Sequence, residues 1–106
     1  DYSQIEQSTH ISDNVVLGKN VIVGSRVNIE IGVTICDKVE IGIESTIGAF
    51  SIINKGAKIG SFVKIASFCT INEGANILDG ATIEDYVTIE AGEIIAKGEK
   101  ILRDRK

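Results

Sequence analysis

The chain has 106 residues, 43% hydrophobic and 25% charged, enough for one domain at most. A formal net charge of −4 argues against a nucleic-acid platform. With no apolar run of about 18 residues and no visible signal peptide, nothing predicts a membrane span.

Residues 1–10 read as an N-terminal lead-in that carries the single histidine, His10. Beginning at Asp1 rather than Met, the chain reads as a piece of a longer one. From Ile11 a period of six sets in, which fits neither helix (3.6) nor strand alternation (2.0). Every sixth position from Ile11 through Leu17, Val23 and Ile29 to Ile101 is Ile, Leu or Val, without exception. Two residues before each stands a small or β-branched one, such as Val15, Val33, Ser45, Ala57 or Cys69. Three residues after it come Asn14, Asn20, Gly32, Gly56, Gly74, Gly80, Gly92 and Gly98, which tolerate positive φ. Each hexad therefore predicts a short strand with two inward side chains, then a turn. One such unit cannot bury its apolar face alone, so the units must stack on their neighbours. Three hexads make a triangular coil, and residues 11–101 hold about five coils of three hexapeptides. Residues 102–106 form a basic C-terminal tail, and the last ten residues gather Lys97, Lys100, Arg103, Arg105 and Lys106.

Residues eighteen apart should lie in columns along this prism. Phe50, Phe68 and Tyr86 share a corner column, and their bulk predicts a turn without positive φ there. They read as packing at a subunit interface or under a terminal segment, ahead of a ligand-stacking edge. Val16, Thr34, Ile52, Thr70 and Thr88 form an outward column on one flank. Ice binding would need a second threonine rank, and the adjacent rank is Gly18, Cys36, Asn54, Asn72 and Glu90. Outward Ile22, Ile31, Ile43, Ile52 and Ile94 favour oligomer contacts. Cys36 and Cys69 fall in different columns, so no disulfide is expected, and two free thiols suit a reducing cytoplasm.

The unbroken repeat resembles the hexapeptide-repeat acyltransferase superfamily. That resemblance implies an all-β fold, a single-stranded left-handed parallel β-helix, assembled as a homotrimer. The segment THISDNVVLGKNVIVG (9–24) resembles the family's first coils. The segment VTIEAGEIIAKG (87–98) resembles the last coil of sugar and nucleotide-sugar acetyltransferases, where a lysine lies near coenzyme A. The implied co-substrate is acetyl-CoA, the implied acceptor a small-molecule sugar, and the implied phosphate ligands Lys97, Lys100 and Arg103. The tail's other reading is a solvated cap that keeps the last rung from stacking on another molecule.

Acyl transfer needs a base, usually histidine. The family carries it in a middle coil, in a segment of the type IDHDCVIGDFVHI. The matching stretch here, KIGSFVKIASFCTI, has Lys64 where a family histidine would fall. His10 is the remaining candidate base, with a solvated surface histidine as the competing reading. Glu40, Glu44, Glu73 and Asp85 are possible carboxylate bases that nothing singles out. No metal is expected: the carbonic anhydrases of this fold need three histidines for zinc, and this chain has one. No Ser-His-Asp set, P-loop or dinucleotide fingerprint occurs. The resemblance thus implies transfer of an acetyl group to a sugar amine or hydroxyl. The rival is a non-catalytic scaffold or oligomerisation domain, favoured by the absent mid-coil histidine.

Overall fold

A computed structural model describes residues 3–103. Its backbone turns at every sixth residue: all such positions from Ser8 to Gly98 have φ between 57 and 76°. Between turns, two residues at a time are extended, giving seventeen strands among the described residues, β1 to β17. Each strand pairs in parallel with the one eighteen residues on, as Gln4 with Ile22 and Lys64 with Thr82 show.

Three sheets result. The first holds β2 (His10–Ile11), β5 (Asn28–Ile29), β8 (Thr46–Ile47), β11 (Lys64–Ile65), β14 (Thr82–Ile83) and β17 (Lys100–Ile101). The second holds β1 (Gln4–Ile5), β4 (Ile22–Val23), β7 (Glu40–Ile41), β10 (Lys58–Ile59), β13 (Asn76–Ile77) and β16 (Ile94–Ile95). The third holds β3 (Val16–Leu17), β6 (Thr34–Ile35), β9 (Ile52–Ile53), β12 (Thr70–Ile71) and β15 (Thr88–Ile89). The fold is all-β, with no helix among the described residues, a parallel β-solenoid of about five turns, as the six-residue period predicts. Pairing reaches back into the lead-in segment, since β1 already pairs with β4. Of the basic tail, Leu102 and Arg103 are described; residues 104–106 lie outside the described residues.

Both inward columns of the hexad are buried. Ile29, Ile35, Ile47, Ile53, Ile65 and Ile71 are fully enclosed, and so are the smaller Val33, Ala57, Ala75 and Ala81. The two ends differ. Ile5 in the first coil is 39% exposed, with Ile11, Val15 and Leu17 partly buried, whereas Ile89, Ile95 and Ile101 at the other end are covered.

Two closures recur among the turns. Where glycine occupies the positive-φ position at 56, 74, 80, 92 and 98, the residue after it donates its N–H across the turn. Ala57 to the Asn54 carbonyl (3.3 Å) and Glu93 to that of Glu90 (3.1 Å) are examples. That is the geometry of a type II turn. Where the residue is Asn20, Arg26, Phe62 or Phe68, a hydroxyl from the preceding coil is spliced into the turn instead. Ser45 Oγ donates to the Gly60 carbonyl (2.8 Å) and accepts from the Val63 N–H (3.1 Å). Ser51 Oγ does the same for Ala66 (2.9 Å) and Cys69 (3.1 Å). Ser3 and Thr9 repeat the pattern at the turns of Asn20 and Arg26. Ser45 and Ser51 are the fully buried polar residues, and these bonds satisfy them.

This corrects one expectation. Phe50, Phe68 and Tyr86 do take positive φ, at 61, 60 and 64°. The left-handed region costs an L-residue about 1–2 kcal/mol. At Phe68 and Tyr86 two contacts offset it, a splinting side chain (Ser51 or Cys69) and the stacking of the rings; at Phe50 the stack on Phe68 contributes.

Candidate functional site

The outward residues of the first sheet form one column, His10, Asn28, Thr46, Lys64, Thr82 and Lys100. Towards its C-terminal end lies a groove of about 360 Å³ lined by Lys64, Thr82, Glu84, Asp85, Lys100 and Arg103. Residue arithmetic puts Lys64 and Lys100 two coils apart in the same column, and the chain leaving β17 carries Arg103 to the adjoining corner. Arg103 is fixed there by its backbone N–H, which donates to Glu84 Oε1 at 3.1 Å. The Asp85 carboxylate accepts the Ser67 backbone N–H at 2.9 Å. Three cationic heads beside a threonine hydroxyl suit phosphate oxygens, with arginine able to bind in bidentate fashion.

The sequence-predicted residues are thus partly assembled. Lys100 and Arg103 share the groove, joined by Lys64, which the sequence marks only as the place of an expected histidine. Lys97 lies at the corner that leads into β17, on the other side of that strand, and does not line the groove. His10 is exposed at the far end of the same column, five strand spacings or about 24 Å from Lys100. Among the described residues, no group of three or more His, Cys, Asp or Glu is placed to hold a metal ion. Nor is any helix among them long and apolar enough to cross a membrane.

Both corners flanking this sheet carry exposed aromatics. On one, Phe50, Phe68 and Tyr86 stack with ring centroids 5.4 and 5.1 Å apart and interplanar angles of 16 and 3°. Phe50 in turn covers Gly32, where an added Cβ would meet its ring at 2.5 Å. On the other corner stands Phe62, which sequence reasoning passed over; counting eighteens from Arg26 and Glu44 puts it in their column. All four rings are about half exposed: 51, 56, 48 and 61% for Phe50, Phe62, Phe68 and Tyr86. None of them enters the core.

The cysteines are both free, with Cys69 buried and Cys36 at a partly exposed edge. Cys69 splints the Tyr86 turn as Ser51 splints that of Phe68, donating its thiol hydrogen to the Glu84 carbonyl at 3.0 Å. Burial pushes the Cys69 thiol up from its ordinary value, against the opposing pull of the Val87 backbone N–H.

No protein-family model and no curated protein matches the chain. Solved structures do. A hexapeptide transferase family protein from Anaplasma phagocytophilum is similar over 92% of this chain and 68% of its own, with 22% identity and a TM-score of 0.54. A putative acetyltransferase from Bacillus cereus is 23% identical over 93% of this chain and 68% of its own, at a TM-score of 0.46. A GDP-perosamine N-acetyltransferase variant from Caulobacter crescentus, solved with CoA and GDP-perosamine, is 22% identical at a TM-score of 0.45. It is matched over 93% of this chain and 50% of its own. The likeness to the Anaplasma protein carries the fold: this chain has the hexapeptide-repeat β-solenoid architecture seen there.

Proposed function

We propose that the protein transfers an acetyl group from acetyl-CoA to an amine or hydroxyl of a sugar or nucleotide-sugar. The observation that carries this reading is the groove where Lys64, Lys100 and Arg103 converge. Its donor set suits the phosphates of coenzyme A, and Lys97 adds positive charge at the neighbouring corner. The thioester supplies the activated acyl group. His10 is the candidate base; it would take the proton as the acceptor attacks the carbonyl and the CoA thiolate departs. The same reading makes the protein a homotrimer in the cytoplasm, where two unpaired thiols stay reduced. A second reading, a non-catalytic scaffold, is favoured by lysine at position 64 in place of a mid-coil histidine.

Titration calorimetry with acetyl-CoA tests the first reading. Micromolar binding, weakened at least tenfold in a Lys100→Ala/Arg103→Ala variant, is the expected result. A folded protein that binds no acetyl-CoA at millimolar concentration would favour the scaffold. Where binding holds, a His10→Ala variant that keeps its turnover would remove His10 as the base.

A further inference from the structure

Among the described residues four aromatics stand at positive-φ turns, and Phe62 is the one without a ring partner. A singly exposed ring is ordinary, but this one holds φ at 61°, where glycine or asparagine would fit without strain. Groups from the preceding coil brace it: the Ser45 hydroxyl splints the turn, and the Phe62 N–H donates to the Ile43 carbonyl at 2.9 Å. Strain kept at a braced, exposed position points to use of the side chain rather than to packing.

The two faces of Phe62 meet different neighbours. Its corner column runs Arg26, Glu44, Phe62, Gly80, Gly98. On the N-terminal side stands Glu44, paired with Arg26. On the C-terminal side the column is open: a Cβ added at Gly80 would meet only the Gly98 backbone, 3.7 Å away, and one at Gly98 would meet nothing within 4 Å. The other aromatic corner shows what fits such a place. Phe50 and Phe68, with φ of 61 and 60°, each carry the ring of the next coil on one face, at 5.4 and 5.1 Å. Phe62 has the backbone of that arrangement without the second ring. Lys97 and Lys100 flank Gly98 on either side, and Lys64 stands beside Phe62 itself. The acidic side chain at this notch, Asp79, is engaged, since its Oδ1 accepts the Ser61 N–H at 2.9 Å.

We propose that the face of Phe62 turned towards Gly80 is a stacking platform for a nucleobase whose phosphates reach Lys97 and Lys100. A base at the level of Gly80 lies one rung, ~4.8 Å, beyond the ring and one rung short of the two lysines, room for the ribose between base and phosphate. A pyranose can also lie on an aromatic ring, but the lysines favour a ligand that joins a flat ring to negative charge. Any base has a π-face to offer, so the platform itself does not choose among them. The base belongs to coenzyme A or to a nucleotide-sugar acceptor. This inference rests on the cationic groove as a phosphate site and deepens that reading by naming what the phosphates carry. It also gives Lys97, which the groove leaves out, a ligand.

Titration calorimetry with adenosine bisphosphate, UDP, acetyl-CoA and ribose phosphate tests it on wild type, Phe62→Asn, Phe62→Tyr and Gly80→Asn. Asparagine already occupies equivalent turns at 14 and 20, so both asparagine variants keep the backbone, which far-UV circular dichroism would check. The expected result is binding of at least one base-bearing ligand, weakened about tenfold or more by Phe62→Asn and by Gly80→Asn, and kept by Phe62→Tyr. Ribose phosphate, which has no base, should not distinguish the four proteins. Proton NMR should show the bound base shifted upfield by the ring, a signature lost in Phe62→Asn. Adenosine bisphosphate binding assigns the platform to the coenzyme, and UDP binding alone assigns it to the acceptor. Ligands held by Phe62→Asn as tightly as by wild type would overturn the platform and leave acyl transfer standing. Phe62-dependent binding of UDP with acetyl-CoA unbound would do the reverse. A folded protein that binds none of the base-bearing ligands at millimolar concentration would overturn the platform as well.

Discussion

Ser51 and Phe68 are chemically unlike, yet each depends on the other. A phenylalanine at φ 60° leaves its turn open, and the gap is filled by the Ser51 hydroxyl from one coil earlier. Ser51→Ala strands the Ala66 carbonyl and the Cys69 N–H in a dry interior. A loss of about 1–3 kcal/mol is expected, read by urea denaturation, since buried unpaired polar groups carry that penalty. Phe62 allows the opposite experiment. Among the described residues it has no stacked ring partner, so Phe62→Asn relieves left-handed strain without breaking a stack and should raise stability by up to about 1 kcal/mol. Phe68→Asn gains the same relief but breaks two stacks, and should therefore gain less or lose. Cys69 adds a pH signature. Its thiol is pushed up in the fold by burial, so between the unfolded and folded values the native state holds the proton more tightly. Stability then falls as pH rises above the unfolded thiol's range, near 8.5. The melting temperature of wild type should drop faster than that of Cys69→Val between about pH 8.5 and 10. The column arithmetic was readable at this scale, but the sign of φ at the aromatic corner was not. Bulk argues against the left-handed region, and nothing local to Phe68 says that a serine seventeen residues away will splint it.

At the scale of the strand and turn, two residues of β structure are too short to persist alone. What specifies them is the stack. Each hexad is held by backbone bonds to the coil above and below, such as Gly48 N–H to the Ile65 carbonyl at 2.7 Å. Coils therefore sit close, and at Gly48 an added Cβ would lie 2.4 Å from the Ala66 carbonyl carbon. The obstacle is backbone, which cannot swing aside. Gly48→Ala is expected to destabilise by more than the ~1 kcal/mol at which point substitutions centre, measured by thermal melting. Period six revealed every strand from β2 to β17, because it is a property of the whole ladder. The groove was less legible. Lys100 and Arg103 were readable from the resemblance, but the inclusion of Lys64 and the separation of Lys97 depend on which side of β17 each corner falls. That is a matter of counting eighteens through the last coil, and composition alone does not reveal it.

For the molecule as a whole, each coil touches only its neighbours, so stability is close to a sum of coil and interface contributions. The ends should then open before the middle. The first coil, with Ile5 39% exposed and Ile11 and Leu17 partly buried, is the weaker end. Amide hydrogen exchange should be fastest for residues 4–17 and slowest for residues 46–83, with equal protection along the rod counting against this view. Rod geometry also explains why core and surface were unequally legible. The inward columns obey one rule along the full length, while the outward ones differ face by face.

The eighteen-residue register has a consequence for how such a protein can change length. Excising one whole coil, residues 49–66 for example, would rejoin every column to its own continuation and leave each face with its own kind of residue. Excising a single hexad would also keep the inward pattern, but everything downstream would rotate by one face. With residues 67–72 removed, for example, Lys100 would extend the Glu40–Lys58 face of the second sheet while Lys64 stayed on the first, and the cationic groove would be split between two sides. The interior of this fold counts in sixes and its surface in eighteens. A lineage can therefore lose a hexad with its stability nearly intact and its chemistry scattered.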